Sequence, residues 1–122
     1  MARILVIEND SALRAVVRQF LDEAGHDILE AEDGAAGMAL FRADPVDLII
    51  TDLLMPNKEG IETILDLRRQ APDVRIIAMS GAEQAGGVDL LGYARKLGAS
   101  HSLKKPFRRR ALLDAVAAAL QN

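Results

Sequence analysis

Apolar positions along this chain follow two rhythms in alternation. Short unbroken runs alternate with stretches where apolar residues recur every three or four positions, the strand and helix signatures respectively. Ile4 to Ile7 is the first run and reads as β1. It ends in Glu8-Asn9-Asp10, and Ser11 stands where a helix N-cap belongs. Leu13, Val16, Val17, Phe20, Leu21 and Ala24 follow at helical spacing as α1, with Gly25 suited to the C-terminal cap. His26 to Ala31 is a more polar strand, β2. Asp33 caps α2, which runs through Ala43, and Asp44-Pro45 turns the chain into β3.

The stretch Val46 to Pro56 organises the rest. Its apolar run ends abruptly at Asp52, as expected of a buried parallel strand that is apolar on both faces. Pro56 lacks an N–H and restricts its predecessor, so the strand cannot pass smoothly into a helix, and Asp52 is held at a turn.

Asn57 to Ala71 reads as α3, with Ile61, Ile64 and Leu65 facing inward, and Pro72 blocks continuation. Val74 to Met79 is β4, ending at Ser80-Gly81. The glycines Gly81, Gly86 and Gly87 mark a loop, and Val88 to Leu97 is α4, closed by Gly98. Ser100 to Leu103 is a weak strand, β5. Phe107 to Leu120 is α5, with Leu112, Leu113, Val116 and Leu120 on one face. Strand–helix alternation implies parallel βα units with right-handed crossovers. β1, β3 and β4 are the most apolar and should be central, with β2 and β5 at the edges. The order 2-1-3-4-5 satisfies this. The fold class is therefore α/β, a flavodoxin-like (βα)5 sandwich around a five-stranded parallel sheet, with residues 1–122 as one domain.

Composition narrows the picture. Half of the 122 residues are apolar, enough for one core, and aromatics are scarce. No apolar run approaches the roughly 20 residues of a membrane span. The start lacks the flanks of a signal peptide. There are no cysteines, hence no disulfide, thiol nucleophile or cysteine-based zinc site. These features fit a cytoplasmic chain that does not enter membranes. A net charge of −3 argues against nucleic-acid binding over a broad basic surface.

The polar residues gather at strand ends. Glu8, Asn9 and Asp10 follow β1, Asp52 ends β3, Ser80 follows β4 and Lys105 follows β5. In a parallel sheet those ends share one edge, where α/β proteins bind ligands. Crowded carboxylates repel, and a hard cation relieves them; Mg²⁺ takes one or two carboxylates plus substrate phosphate. A lysine and a hydroxyl can hold the remaining phosphoryl oxygens, and Asp52 is the natural nucleophile. Taken singly, each residue has a plainer reading. A strand-end Asp is often a cap, Glu8 and Asn9 are ordinary loop polars, and Ser80 alone says almost nothing. Lys105 belongs to a basic cluster with Lys104, Arg108, Arg109 and Arg110. All of these but Lys105 are expected to face solvent. His26 and His101 have no ligand-spaced partners and read as structural or exposed. Joint placement at four strand ends shifts the balance.

With these residues in place the chain resembles a response-regulator receiver domain over its whole length. The matching pieces are Glu8-Asn9-Asp10 after β1, Asp52-Leu53-Leu54-Met55-Pro56 with Gly60 beyond, Ser80 at the end of β4, and Lys105-Pro106-Phe107. The resemblance implies that Asp52 accepts a phosphoryl group from a histidine kinase or phosphotransfer protein. It implies Mg²⁺ bound by Glu8, Asn9, Asp52 and the Leu54 carbonyl, with Ser80 and Lys105 on the phosphoryl oxygens. It also implies a cis bond before Pro106 and a downstream protein partner. The domain is then a signalling switch, catalysing only its own phosphoryl transfer and hydrolysis.

Three departures stand out. Asn9 occupies a position where the family usually has Asp, and Asp10 is a candidate to compensate. Ser102 stands where the family often has an aromatic residue that swings inward. The Gly81–Gly87 loop is longer than usual, so switching is expected to move that loop and α4. The alternative is a degenerate receiver that binds a partner without phosphorylation, which Asn9 and Ser102 favour and Asp52, Ser80 and Lys105 oppose. An aspartyl-phosphate phosphatase would want Asp where Leu54 stands. A flavin carrier would not place Glu8-Asn9-Asp10 against a phosphate.

Overall fold

Five parallel strands form one sheet in the order β2-β1-β3-β4-β5, the expected order, with the most apolar runs at the centre. The computed structural model describes residues 1–53, 60–81, 90–96 and 98–121. The strands are β1 (Arg3–Ile7), β2 (Asp27–Ala31), β3 (Leu48–Asp52), β4 (Arg75–Gly81) and β5 (His101–Lys105). The helices are α1 (Ser11–Glu23), α2 (Gly34–Ala43), α3 (Gly60–Gln70), α4 (Leu90–Lys96) and α5 (Arg109–Gln121). The expected starts of α3 and α4, Leu97 and most of the Gly81–Gly87 loop lie outside the described residues.

Side chains alternate across the sheet, so every central strand feeds two cores. Ile4, Val6 and Ile50 face Leu21 of α1 and Leu112 and Val116 of α5. Leu5, Ile7 and Ile49 face Phe41 of α2 and Ile64 and Leu67 of α3. All five residues of β3 are buried. Each fully buried Ile or Leu contributes about 1.5–3 kcal/mol of hydrophobic stabilisation. The two layers therefore hold the strand ends in a fixed relation.

The helices are set by their caps. Asp33 caps α2 as expected, accepting from Ala36 N–H at 2.8 Å. The cap of α1 corrects the sequence reading. Asp10, not Ser11, is the N-cap, and its Oδ1 accepts from Ala12 N–H at 3.0 Å and Leu13 N–H at 3.2 Å. Both residue types cap well, and the carboxylate adds a favourable charge at the helix start. The inward face of α3 also differs. Gly60, Thr63, Ile64 and Leu67 are buried, while Ile61 and Leu65 are only partly covered. Ile61 packs at the margin of the core that holds Ile64 and Leu67.

Gly60 has a specific reason to be glycine. Its N–H donates to Leu53 O at 3.0 Å. A Cβ there would fall on the Asp52 carbonyl oxygen and the Leu53 Cα, both backbone. Only a residue without a side chain admits this approach. The start of α3 is thereby held against the end of β3.

At the opposite end of the sheet Arg68 is a clasp. Its guanidinium donates to the carbonyls of Pro72 at 2.9 Å, Val74 at 2.5 Å and Gly98 at 2.5 Å. It ties the end of α3 to the entries of β4 and β5. Gly98 has φ +112°, and a Cβ there would lie 2.5 Å from Arg68 Nε.

Candidate functional site

The carboxyl ends of the strands meet as expected. Asp52 ends β3 beside Met79, and Ser80 and Gly81 pair in register with Lys104 and Lys105. Glu8 follows β1, with its N–H donating to Ala31 O at 3.0 Å. Glu8 is 1 % exposed and Asp52 5 %, while Ser80 is fully buried. Lys105 is partly buried, and its bond to Pro106 is cis.

One cation bridges the two carboxylates. Lys105 Nζ lies 2.6 Å from Glu8 Oε1 and 3.3 Å from Asp52 Oδ1. Burial by itself lowers the affinity of the Lys105 amine for its proton. The hydrogen bond to Glu8 and the charges of Asp52 and Glu8 outweigh that, and the net shift is upward. The ammonium therefore stays charged at neutral pH. One ammonium is thus shared by two buried carboxylates, and compensation of this kind is what buried charge requires.

Carboxylate oxygens suit a hard cation. Among the described residues no group of three acidic or histidine side chains completes a metal cage. Mg²⁺ needs no such cage, since it binds through one or two carboxylates and keeps waters and substrate phosphate as its other ligands. Convergence of Glu8 and Asp52 on the one Lys105 nitrogen shows that both carboxylates reach a single cationic centre. The residues present thus fit the ion.

The remaining expected residues divide. Asn9 is exposed beside Glu8. Leu54 lies outside the described residues. Asp10 has Oδ1 engaged in capping α1, and its N–H donates to Glu8 Oε2 at 3.0 Å. Lys104, Arg108, Arg109 and Arg110 are exposed, as expected. Among the described residues Arg109 makes a distant ion pair with Glu23, at 3.9 Å. His26 is structural, its Nδ1 accepting from Ala2 N–H at 3.1 Å. His101 Nδ1 is enclosed without a hydrogen-bond partner among the described residues. Ser102 is partly buried on β5, in register with Ala78.

Sequence reasoning missed Arg14. Its Nη1 donates to the Glu8 carbonyl oxygen at 2.7 Å and its Nε to Glu30 Oε1 at 3.2 Å. Arg14 lies six positions from Glu8 and sixteen from Glu30, the latter reached from α1 to the edge strand β2. No local spacing could have signalled the contact. The capping role of Asp10 was available, since Asp is a preferred N-cap type.

A parallel sheet in this order, with two carboxylates and a lysine gathered at its carboxyl edge, defines an α/β protein whose charged residues meet where this fold class binds ligands. Residues 4–117 match the response regulator receiver domain family, and the chain belongs to that family. It is 36 % identical over 123 residues to the transcriptional regulatory protein CpxR of Klebsiella pneumoniae, covering 99 % of this chain and 50 % of that protein. It is 32 % identical over 116 residues to the response regulator protein FleR of Pseudomonas aeruginosa, covering 95 % of this chain and 24 % of FleR. The chain thus spans half or less of these relatives. Among solved structures, a receiver domain protein from Clostridium thermocellum superposes with a TM-score of 0.90 at 28 % identity, covering 99 % of this chain and 95 % of that one. The chemotaxis protein CheY4 of Vibrio cholerae superposes with a TM-score of 0.88 at 27 % identity, covering 98 % and 99 %. The chain is a phosphorelay receiver, a signalling switch, and these comparisons do not favour the degenerate alternative. Among the described residues no helix is long and apolar enough to cross a membrane.

Proposed function

We propose that Asp52 is the phosphoryl acceptor of this receiver, and that residues 1–122 act as one switch domain. The observation that carries the reading is the Lys105 ammonium lying between the buried carboxylates of Glu8 and Asp52. The donor is a phosphohistidine on a histidine kinase or phosphotransfer protein. An oxygen of Asp52 forms the new bond to phosphorus as the bond to the imidazole nitrogen breaks, and the imidazole leaves. Hydrolysis of the acyl phosphate by water resets the switch. The protein works largely by positioning and charge neutralisation, as phosphoryl transfer allows.

Glu8, Asn9, Asp52 and the Leu54 carbonyl are the residues proposed to hold Mg²⁺. When bound, that ion neutralises charge on the phosphoryl oxygens and on the carboxylates. Lys105 supplies a second positive charge, already aimed at Asp52. Ser80, buried at the end of the neighbouring strand, supplies a hydroxyl for a phosphoryl oxygen. The output is a change in binding to a downstream protein partner rather than to nucleic acid. The setting is the cytoplasm, away from membranes.

Intact mass after treatment with a small phosphodonor tests this. One phosphoryl group should be added with Mg²⁺ and little without it, and Asp52→Asn should abolish labelling. Undiminished labelling of the Asn variant would sink the assignment.

A further inference from the structure

We propose that Arg14 is a positioning residue for the acidic turn: it grips the Glu8 main-chain carbonyl and so aims the Glu8 carboxylate at the cation and phosphoryl site. For its consequence in metal binding the idea rests on the function proposed above. Its geometric part stands on the structure alone.

Glu8 is anchored on every polar group it has. Its N–H donates to Ala31 O, its Oε1 receives Lys105, and its Oε2 receives the Asp10 N–H. The carbonyl takes its hydrogen bond from Arg14, at 2.7 Å. Arg14 is itself held. Its Nε donates to Glu30, and the second oxygen of Glu30 accepts from Arg18. Glu30 sits on β2 in register with Val6 of β1. The guanidinium therefore spans from the edge strand to the turn, anchored at one end and gripping at the other. A planar fork makes both bonds at once, which an ammonium cannot copy.

Shielding makes this brace firmer than a surface ion pair. The side chains of Arg14 and Glu30 are 20 % and 28 % exposed. The hydrogen bond from Arg18, then the one from Arg14, holds the Glu30 carboxyl below its usual range against the opposing effect of burial. Glu30 therefore remains an anion for both arginines near neutral pH.

The brace matters more here because of Asn9. With a neutral amide beside it, Glu8 brings the charge of the β1–α1 turn to the cation. Mg²⁺ demands near-ideal octahedral geometry, so displacement of one charged ligand is strongly felt. Residues that orient metal ligands typically change affinity by about tenfold or more. Arg14 also carries a positive charge, which taken alone would repel the ion. Positioning and repulsion thus predict opposite signs when the charge is removed, and an experiment can separate them.

The test uses the full chain and its Arg14→Met and Arg14→Lys variants. Amide hydrogen exchange in the metal-free protein reads the turn directly, because the Asp10 N–H is bound by Glu8 Oε2. Arg14→Met should speed exchange at Asp10 by about tenfold while Ile49 and Ile50 in β3 stay protected. Calorimetric titration should show Mg²⁺ binding about tenfold weaker in Arg14→Met, with Arg14→Lys intermediate. Glu30→Gln, which keeps Arg14 but loosens its anchor, should shift both readouts the same way by less. It decides the matter if an Arg14 variant fails to fold. Unchanged Asp10 exchange overturns the proposal, as does Mg²⁺ affinity in Arg14→Met equal to or above that of the wild type. A wild-type protein that binds no Mg²⁺ would instead overturn the metal reading of the site, and Asp10 exchange alone would then judge Arg14.

Discussion

Lys105 Nζ lies 2.6 Å from Glu8 Oε1, across 97 positions of sequence. The contact joins the last residue of edge strand β5 to the first residue after central strand β1, over the end of β3. Under the proposed function Lys105 neutralises buried carboxylates at rest and phosphate after transfer. Lys105→Met should destabilise the metal-free protein by about 2 kcal/mol. That is less than the 3–5 of a fully buried pair, because the ammonium is partly open to water. Mg²⁺ should recover part of the loss. Urea unfolding with and without Mg²⁺ checks this. The shift of Lys105 is upward, so its contribution is fully present below the ordinary lysine value of 10.5 and is lost as pH rises above it. Stability attributable to this pair should be flat between neutral pH and the onset of that alkaline loss.

Asn9→Asp should tighten Mg²⁺ binding. Asp10 has one carboxylate oxygen committed to capping α1, so it is poorly placed to replace the missing charge. Adding a carboxylate next to Glu8 gains Coulomb energy, partly offset by desolvation and by repulsion. The net expected is about 1 kcal/mol, several-fold in affinity. Equal affinities in a calorimetric titration would show that Asp10 compensates after all.

Gly60→Ala should damage both fold and site. The added methyl has to displace backbone at Asp52 and Leu53. Overpacking of this kind costs about 1–3 kcal/mol. Phosphoryl uptake should fall further than stability explains, because the displaced backbone carries Asp52. Labelling measured at a temperature where the variant is fully folded separates the two effects.

Arg68→Ala should destabilise without touching the chemistry. Three carbonyls lose a charged donor at the amino end of the sheet. A loss of about 2–3 kcal/mol is expected, and Arg68→Lys should restore only part of it. Folded Arg68→Ala protein should take up phosphate at the wild-type rate. A slowed rate would show that the two ends of the sheet communicate.

Acid should weaken the fold through His26. Its Nδ1 must be unprotonated to accept from Ala2 N–H. Burial, and then the positive amino terminus, holds its pKa below the ordinary 6.5. The folded state therefore prefers the neutral ring. The contribution is present above the unfolded value of 6.5 and is lost as pH falls below it. His26→Gln should flatten the stability difference between pH 7.5 and pH 5, measured by urea unfolding.

Much of this protein was legible in its residue pattern. Ile4 to Ile7, Leu48 to Ile50 and Ile76 to Met79 are apolar on both faces, and only central parallel strands need that. Strand order, edge positions and the gathering of Glu8, Asp52, Ser80 and Lys105 at one edge all follow, because a parallel sheet places every strand's carboxyl end on the same side. Element ends were less legible. Asp10 and Ser11 both suit a cap, and in the structure Asp10 takes it. The close approach of Gly60 to the end of β3 is something no periodicity encodes.

The chain itself thus determined the fold, because burial of two apolar faces leaves few arrangements of these runs. Tertiary structure alone decided who holds whom: Lys105 between Glu8 and Asp52, Arg14 on the Glu8 carbonyl, Arg68 across the carbonyls of Pro72, Val74 and Gly98. Those choices rest on distances of a few ångströms between residues far apart in sequence. They are fixed only when both cores have packed and the side-chain forks have reached their partners.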